Sequence, residues 1–166
     1  MLLVLDVGNS NIVMAVYNDR ELLKSWRFNT DRTKTEDEYK ILLEGFLAGI
    51  GLAFTDLKDV VISSVVPPLN PALDRLFQGV CEFKPLFISS GIKTGLNLKV
   101  ENPKGLGADR IVNAVAAFER FGGPLIIFDL GTATTVCAVS ARGDFLGGVI
   151  CPGIGISVEA LSKSTA

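Results

Sequence analysis

Two aspartates occupy matching places in this 166-residue chain. Asp6 lies near the end of the apolar run "LLVLDV" and is followed by Gly8, Asn9, Ser10 and Asn11; Asp129 lies near the end of "LIIFDL" and is followed by Gly131, Thr132, Ala133, Thr134 and Thr135. An acid inside an apolar run is costly unless something partners it. A glycine two residues later lets backbone approach a bulky anion with no Cβ in the way. Turn amides, together with hydroxyl and amide side chains, can donate to phosphate oxygens. Asp6 can hold Mg²⁺, directly or through water, because that ion prefers oxygen ligands and keeps several waters. Capping of a tight turn is the plainer use of Asp beside Gly. It accounts for one such stretch better than for two in the same register. Polyphosphate chemistry is therefore expected, although neither a GxGxxG nor a GxxxxGK[ST] loop is present.

The chain has no histidine, which removes histidine triads, histidine metal sites and a histidine general base together. Proton transfer and metal binding must fall to carboxylates, hydroxyls or backbone. A net charge of −2 and a pI near 5.2, with Lys and Arg scattered, leave no electrostatic footprint for nucleic acid or for an anionic membrane. Cys81, Cys137 and Cys151 are too few and too widely spaced for a zinc site or disulfide framework, and read as buried small hydrophobes in a reducing compartment. No apolar run reaches the ~18 residues of a membrane span, and the N-terminus lacks the basic region of a signal peptide. A cytoplasmic location is expected.

The elements that must position these residues are legible from periodicity. Residues 2–7 and 12–17 read as strands joined through Gly8 to Asn11, and 21–29 completes a meander. Thr35 and Glu38 form a capping box ahead of Tyr39, Leu42, Leu43, Phe46, Leu47 and Ile50 at helical spacing, with Gly49 and Gly51 ending the helix. The run "DVVISSVV" (59–66) reads as a buried strand stopped by Pro67 and Pro68, and Asn70-Pro71 as an N-cap with proline at the first helical position. Residues 85–88 read as a strand, 91–106 as a loop with one short strand, and 109–121 as a helix closed by Gly122-Gly123-Pro124. Phe118 and Phe121 fall at core spacing on that helix; Trp26 fits either an edge or an interface.

The opening then repeats. "LVLDVGNSNIVMAV" (3–16) aligns with "IIFDLGTATTVCAV" (126–139) at an offset of 123 residues, pairing Asp6 with Asp129, Gly8 with Gly131 and Asn11 with Thr134. A duplicated α/β unit is expected, with mixed sheets flanked by helices, a first domain over 1–123 and the start of a second over 124–166. A complete second copy would extend to about residue 246, so the second domain is expected to be incomplete in this chain. The two hairpins would clamp a polyphosphate between the domains.

Asp109 opens a helical pattern, where its bland role is an N-cap. Arg110 beside it faces the positive end of the helix dipole, where a cation is disfavoured. An arginine in that place implies an anionic partner. Gly147-Gly148, Gly153 and Gly155 around Pro152 serve either a tight strand-to-helix entry or close approach to a ligand.

The motifs "DVGNSN" (6–11), "SVVP" (64–67), "NPKGLGADR" (102–110), "DLGTATT" (129–135) and "GGVICPGI" (147–154), in this order along the whole chain, resemble type III pantothenate kinase. The resemblance implies a ribonuclease-H-like, actin-like ATPase fold and phosphorylation of pantothenate by ATP to 4′-phosphopantothenate, at the head of coenzyme A biosynthesis. It implies that Asp6, Val7, Gly8, Asn9, Ser10 and Asn11 form the ATP-binding loop, with Mg²⁺ at Asp6. Gly107, Ala108, Asp109 and Arg110 match the pantothenate-binding segment, Asp109 the proton acceptor, Asp129 a ligand of K⁺ or NH₄⁺, and Thr132 an ATP contact. A cytoplasmic homodimer is implied for the family. The rest of its adenosine pocket, and a further threonine contact to pantothenate, would fall beyond Ala166. Another phosphotransferase or phosphatase of the same fold, and a non-catalytic regulatory relative, are the alternatives. "GADR" speaks against the first, and the retention of Asp6, Asp109 and Asp129 against the second.

Overall fold

The computed structural model describes residues 1–164, in two compact units that divide between Ile88 and Ser89. The first contains β1 (Leu2–Val7), β2 (Asn11–Asn18), β3 (Glu21–Asn29), α1 (Glu36–Ala48), β4 (Asp59–Ser64), α2 (Asn70–Val80) and β5 (Leu86–Phe87). Its sheet has the order β3-β2-β1-β4-β5, antiparallel through the opening meander and parallel from β1 through β4 to β5. Strand alternation decides the layers. Leu3, Leu5 and Val7 share one face with Ile12, Met14 and Val16, all essentially inaccessible, and Tyr39, Leu43 and Leu47 of α1 and Leu73 and Phe77 of α2 join them in one core. Asp6 alternates to the opposite face and is exposed. Trp26 lies on the edge strand β3, half-buried, its ring stacked on Phe46 at 5.7 Å. This places it at an edge that α1 covers.

The capping box forms as read: Thr35 N–H donates to Glu38 Oε2 at 2.8 Å, and Glu38 N–H to Thr35 Oγ1 at 3.4 Å. The Tyr39 hydroxyl, deep against this helix start, donates to the Asp31 carbonyl at 2.7 Å and accepts the Asp31 N–H at 3.2 Å. Tyr39→Phe keeps the ring and strands both groups. It is expected to cost about 1–3 kcal/mol, seen as a lower urea midpoint at unchanged slope; an unchanged midpoint would show that water replaces the hydroxyl.

Asn70 departs from the reading as an N-cap. Pro67–Leu69 already form a 3₁₀ turn, so helical backbone begins before Asn70; Leu69 takes the cap position without a side-chain bond, and Pro71 becomes the second helical residue. The Asn70 Oδ1 atom is buried without a partner.

The second unit contains β6 (Asn97–Leu98), α3 (Ala108–Phe121), β7 (Leu125–Leu130), β8 (Ala133–Val139), β9 (Asp144–Pro152) and α4 (Ile154–Ser164). Its sheet has the order β6-β9-β8-β7, an antiparallel meander with β6 parallel on the outer edge. β7 and β9 begin and end 123 residues after β1 and β3. The duplication is therefore visible in the strands, with one difference. Val7 pairs with Ile12 across a four-residue turn, but Leu130 pairs with Thr134 across three. The second loop is one residue tighter, so Asn11 and Thr134 do not occupy equivalent ladder positions. The seam read at residue 123 concerns duplication. In packing, α3 precedes that seam in sequence yet covers the sheet that follows it.

One face of this sheet carries α3, with Ala114, Cys137, Val139 and Phe145 buried and Phe118, Leu125 and Ile127 packed beside them. On the other face Ile126, Phe128 and Leu130 are 62%, 66% and 70% exposed, although their counterparts Leu3, Leu5 and Val7 are buried beneath two helices. Phe121 does not join the core: at the last position of α3 it is 71% exposed, with the Arg120 guanidinium over its ring at 5.4 Å. Of the cysteines, all free, Cys137 is buried, Cys81 half-buried and Cys151 exposed, so the reading as buried hydrophobes fails for Cys151 at the open end of β9. Among the described residues no helix is long and apolar enough to cross a membrane.

Four carboxylates are held below their ordinary range: Asp31 by the Thr33 side chain, Glu36 by Arg75, Glu38 by the Thr35 backbone and Asp144 by Asn97 and Ser140. A depressed native value contributes stability above the unfolded value, and that contribution is lost as pH falls through the folded one. Stability is thus expected to decline on acidification below about pH 4. A pH series of denaturant melts checks this, and a midpoint that rises between pH 4 and pH 3 would contradict it.

Candidate functional site

In the first unit the turn after β1 is closed by Gly8 N–H donating to the Asn11 carbonyl at 3.0 Å, and a Cβ at Gly8 would stand 3.0 Å from that oxygen. The segment after β3 braces the turn. Thr30 Oγ1 donates to the Gly8 carbonyl at 2.6 Å, Thr30 N–H to the Ser10 carbonyl at 3.0 Å, and Arg32 Nη2 to Asn9 Oδ1 at 2.9 Å. The Val7 side chain is fully buried, and its carbonyl accepts Val65 N–H, so any ligand contact at Val7 must use the rest of its backbone. Asp6 is paired in register with Ser63 of β4, whose hydroxyl is buried without a partner. One exposed carboxylate beside an orphaned hydroxyl and a turn rich in donors fits Mg²⁺, which commonly binds through one or two carboxylates, waters and substrate phosphates. No cluster of three metal-ligating acids or thiols exists among the described residues.

In the second unit Gly131 N–H donates to the Ala133 carbonyl at 3.1 Å, and Gly153 N–H to the Thr132 carbonyl at 3.1 Å. A Cβ on Gly153 would fall 2.4 Å from the carbonyl oxygens of both Gly131 and Thr132, so the strand-to-helix entry must be glycine here. Asp129 Oδ2 accepts Asn113 Nδ2 at 2.9 Å, tying the strand carboxylate to the second turn of α3.

The start of α3 holds the rest. Gly107 occupies the cap position, and Asp109 lies in the first turn rather than at the cap. Its Oδ1 accepts the Arg110 backbone N–H at 2.8 Å, and Ala108 beside it is buried. The Arg110 side chain lies over the sheet: Nε donates to Cys137 Sγ at 3.2 Å, and the guanidinium carbon sits 5.7 Å from the Phe145 ring centroid. Nη2 is buried with no partner. Arg110 lines a cavity of about 220 Å³ with Val100, Asn102, Leu106, Phe145 and Gly148. Among the described residues its guanidinium forms no ion pair. A half-buried cation that lines a cavity and has no ion pair among the described residues is chemically suited to an anion.

The sequence matches the family model for type III pantothenate kinase over residues 2–166. The chain belongs to the type III pantothenate kinase family. It is 55% identical to the type III pantothenate kinase of Brevibacillus brevis over its whole length, and 52% identical to that of Bacillus cytotoxicus, spanning 65% and 63% of those proteins. It therefore covers a little under two thirds of these curated relatives. In fold it is similar to a Sinorhizobium meliloti structure provisionally named a 2-dehydro-3-deoxygalactonokinase, with a TM-score of 0.59 at 14% identity over 99% of this chain and 57% of that one. The architecture is that of the actin-like ATPase and sugar-kinase fold.

For this family member the structure gathers Asp109, Arg110 and Asp129 around α3, with Gly107 and Ala108 shaping its start, and the turn bearing Thr132 at the end of the same sheet. It keeps Asp6 to Asn11 together in the first unit. Periodicity and motif spacing missed Thr30, Arg32, Ser63, Asn113, Cys137 and Phe145. Asn113 alone had a local signal, standing one turn beyond Asp109 and Arg110 on the same helix.

Proposed function

We propose that the protein, at the length of its relatives, transfers the γ-phosphoryl group of ATP to the primary hydroxyl of pantothenate, giving 4′-phosphopantothenate and ADP, the first step of coenzyme A biosynthesis. The observation that carries this reading is Arg110, which lines the cavity and forms no ion pair among the described residues, a partner for the pantothenate carboxylate. Asp109, the neighbouring residue on the same turn, orients the hydroxyl and takes its proton as the oxygen attacks phosphorus and ADP leaves. In a loose phosphoryl-transfer transition state that proton leaves late, so positioning and charge supply most of the rate. Amides and side chains of Gly8 to Asn11 hold ATP phosphates, with Val7 contributing backbone and Thr132 a further contact. Asp6 is the Mg²⁺ ligand, and Asp129, aligned by Asn113, the ligand of K⁺ or NH₄⁺. These cations, when bound, offset charge on the phosphates. We place the enzyme in the cytoplasm as a homodimer.

The test is a K⁺-dependent assay of ATP consumption against pantothenate, hexoses and polyphosphate. Turnover confined to pantothenate is expected. Turnover of a sugar instead would select another phosphotransferase of this fold, and ligand binding without turnover a non-catalytic relative. Arg110→Gln is expected to raise KM for pantothenate about 10- to 100-fold, as loss of a charge-assisted contact should, with KM for ATP nearly unchanged. Equal changes in both would remove the carboxylate from Arg110.

A further inference from the structure

The Arg110 guanidinium meets a thiol. Its Nε–H donates to Cys137 Sγ at 3.2 Å, its plane lies by the Phe145 ring, and Gly148 leaves the space that Nη2 occupies: a Cβ there would come within 2.7 Å of that nitrogen. Buried arginines ordinarily meet carboxylates, which fix the fork and cancel its charge. Here, among the described residues, the side-chain acceptor at Nε is a buried, weak one, with sulfur about the poorest acceptor among side chains. The guanidinium is therefore oriented but, among the described residues, not neutralised by an ion pair, and Arg110 lines the cavity.

We propose that Cys137 is a positioning residue that holds Arg110 toward the cavity while leaving its full charge for the carboxylate of the substrate. This rests on the reading of Arg110 as the pantothenate carboxylate site. The reason for a thiol follows from charge. A carboxylate at position 137 would pair with Arg110 internally, an apolar residue would leave Nε without a partner in a buried place, and a thiol satisfies Nε at little electrostatic cost. Cys137 lies in the register between Ile127 of β7 and Gly148 of β9, so its sulfur is placed by the sheet rather than by a mobile loop.

The experiment is calorimetric binding of pantothenate and of its uncharged primary amide to the protein at its relatives' length, for wild type, Cys137→Val, Cys137→Ser and Cys137→Asp. Wild type is expected to prefer the carboxylate. Cys137→Val should weaken pantothenate about tenfold and leave the amide within twofold, and Cys137→Ser, which keeps a neutral acceptor, should restore the wild-type ratio. Cys137→Asp should abolish the preference for the carboxylate, and it decides the matter where Cys137→Val does not fold. A ratio of affinities unchanged by Val and by Asp overturns the positioning role while the Arg110 reading stands. A wild type with no preference for the carboxylate overturns the Arg110 reading and this inference together. Weakening of both ligands alike makes Cys137 a packing residue only, which also overturns the proposal.

Discussion

Asp109→Asn is expected to lower kcat for pantothenate phosphorylation by about 10²- to 10⁴-fold, the span that a positioned general base contributes. Asparagine keeps the shape of the side chain, and its Oδ1 can still accept the Arg110 backbone N–H that Asp109 holds at 2.8 Å. The first turn of α3 and the direction of Arg110 should therefore persist. What the substitution removes is the carboxylate proposed to accept the hydroxyl proton. KM for pantothenate should change little if, as proposed, the carboxylate contact belongs to Arg110. Because the proton leaves late in a loose transition state, the loss should lie toward the lower part of the range. Steady-state kinetics on the protein at its relatives' length measure this. Turnover undiminished in Asp109→Asn would show the base assignment to be wrong, and a loss confined to KM would make Asp109 a binding group.

The second large effect is at Gly148. The methyl of Gly148→Ala would stand 1.9 Å from the Val136 carbonyl oxygen, 2.9 Å from Cys137 Cα and 2.7 Å from Arg110 Nη2. Two of these neighbours are backbone of β8, held by the β7 and β9 ladders on either side, so they cannot yield cheaply. Overpacking of a well-packed site costs about 1–3 kcal/mol, and with sheet backbone as the obstacle the upper end is expected. The substitution should also push Arg110 from its place and weaken pantothenate binding. Gly155→Ala is the control: nothing lies within 4 Å of its Cβ position, and it is inside α4, where alanine is favoured by up to ~1 kcal/mol. Thermal melts of the two variants should move in opposite directions. A Gly148→Ala protein melting with wild type would show that β8 and β9 lie further apart than described.

Much of the fold was legible because its signals are local. The meander strand over 21–29 has the same bounds in sequence and structure, since the Asn18-Asp19-Arg20 turn residues immediately before it mark where it starts. The Thr35–Glu38 box is likewise a matter of four residues. Asn70 misled because a capping residue is defined by the backbone before it, and Pro67 and Pro68 had already begun a turn. Phe121 misled because helical spacing marks a face of the helix but not whether its last position is covered.

For the site, the sequence alone determined which groups are available: the two repeated Asp-x-Gly turns, the absence of histidine, and Asp109 with Arg110 on one helical turn. These are properties of residue type and short spacing, which survive in one dimension. Only the tertiary structure decided what Arg110 touches. Cys137 is 27 residues away and Phe145 and Gly148 lie on the next strand, brought beneath α3 by the pairing of β8 with β9 and the one-residue bulge between Ala138 and Val139. A one-residue change of register would turn every side chain of β8 to the other face and put a different atom under the guanidinium. Packing likewise separates Leu3, Leu5 and Val7 from Ile126, Phe128 and Leu130, which show the same apolar alternation in the sequence. Alternation sets which side chains share a face, and only the packed neighbours set whether that face meets helices or water.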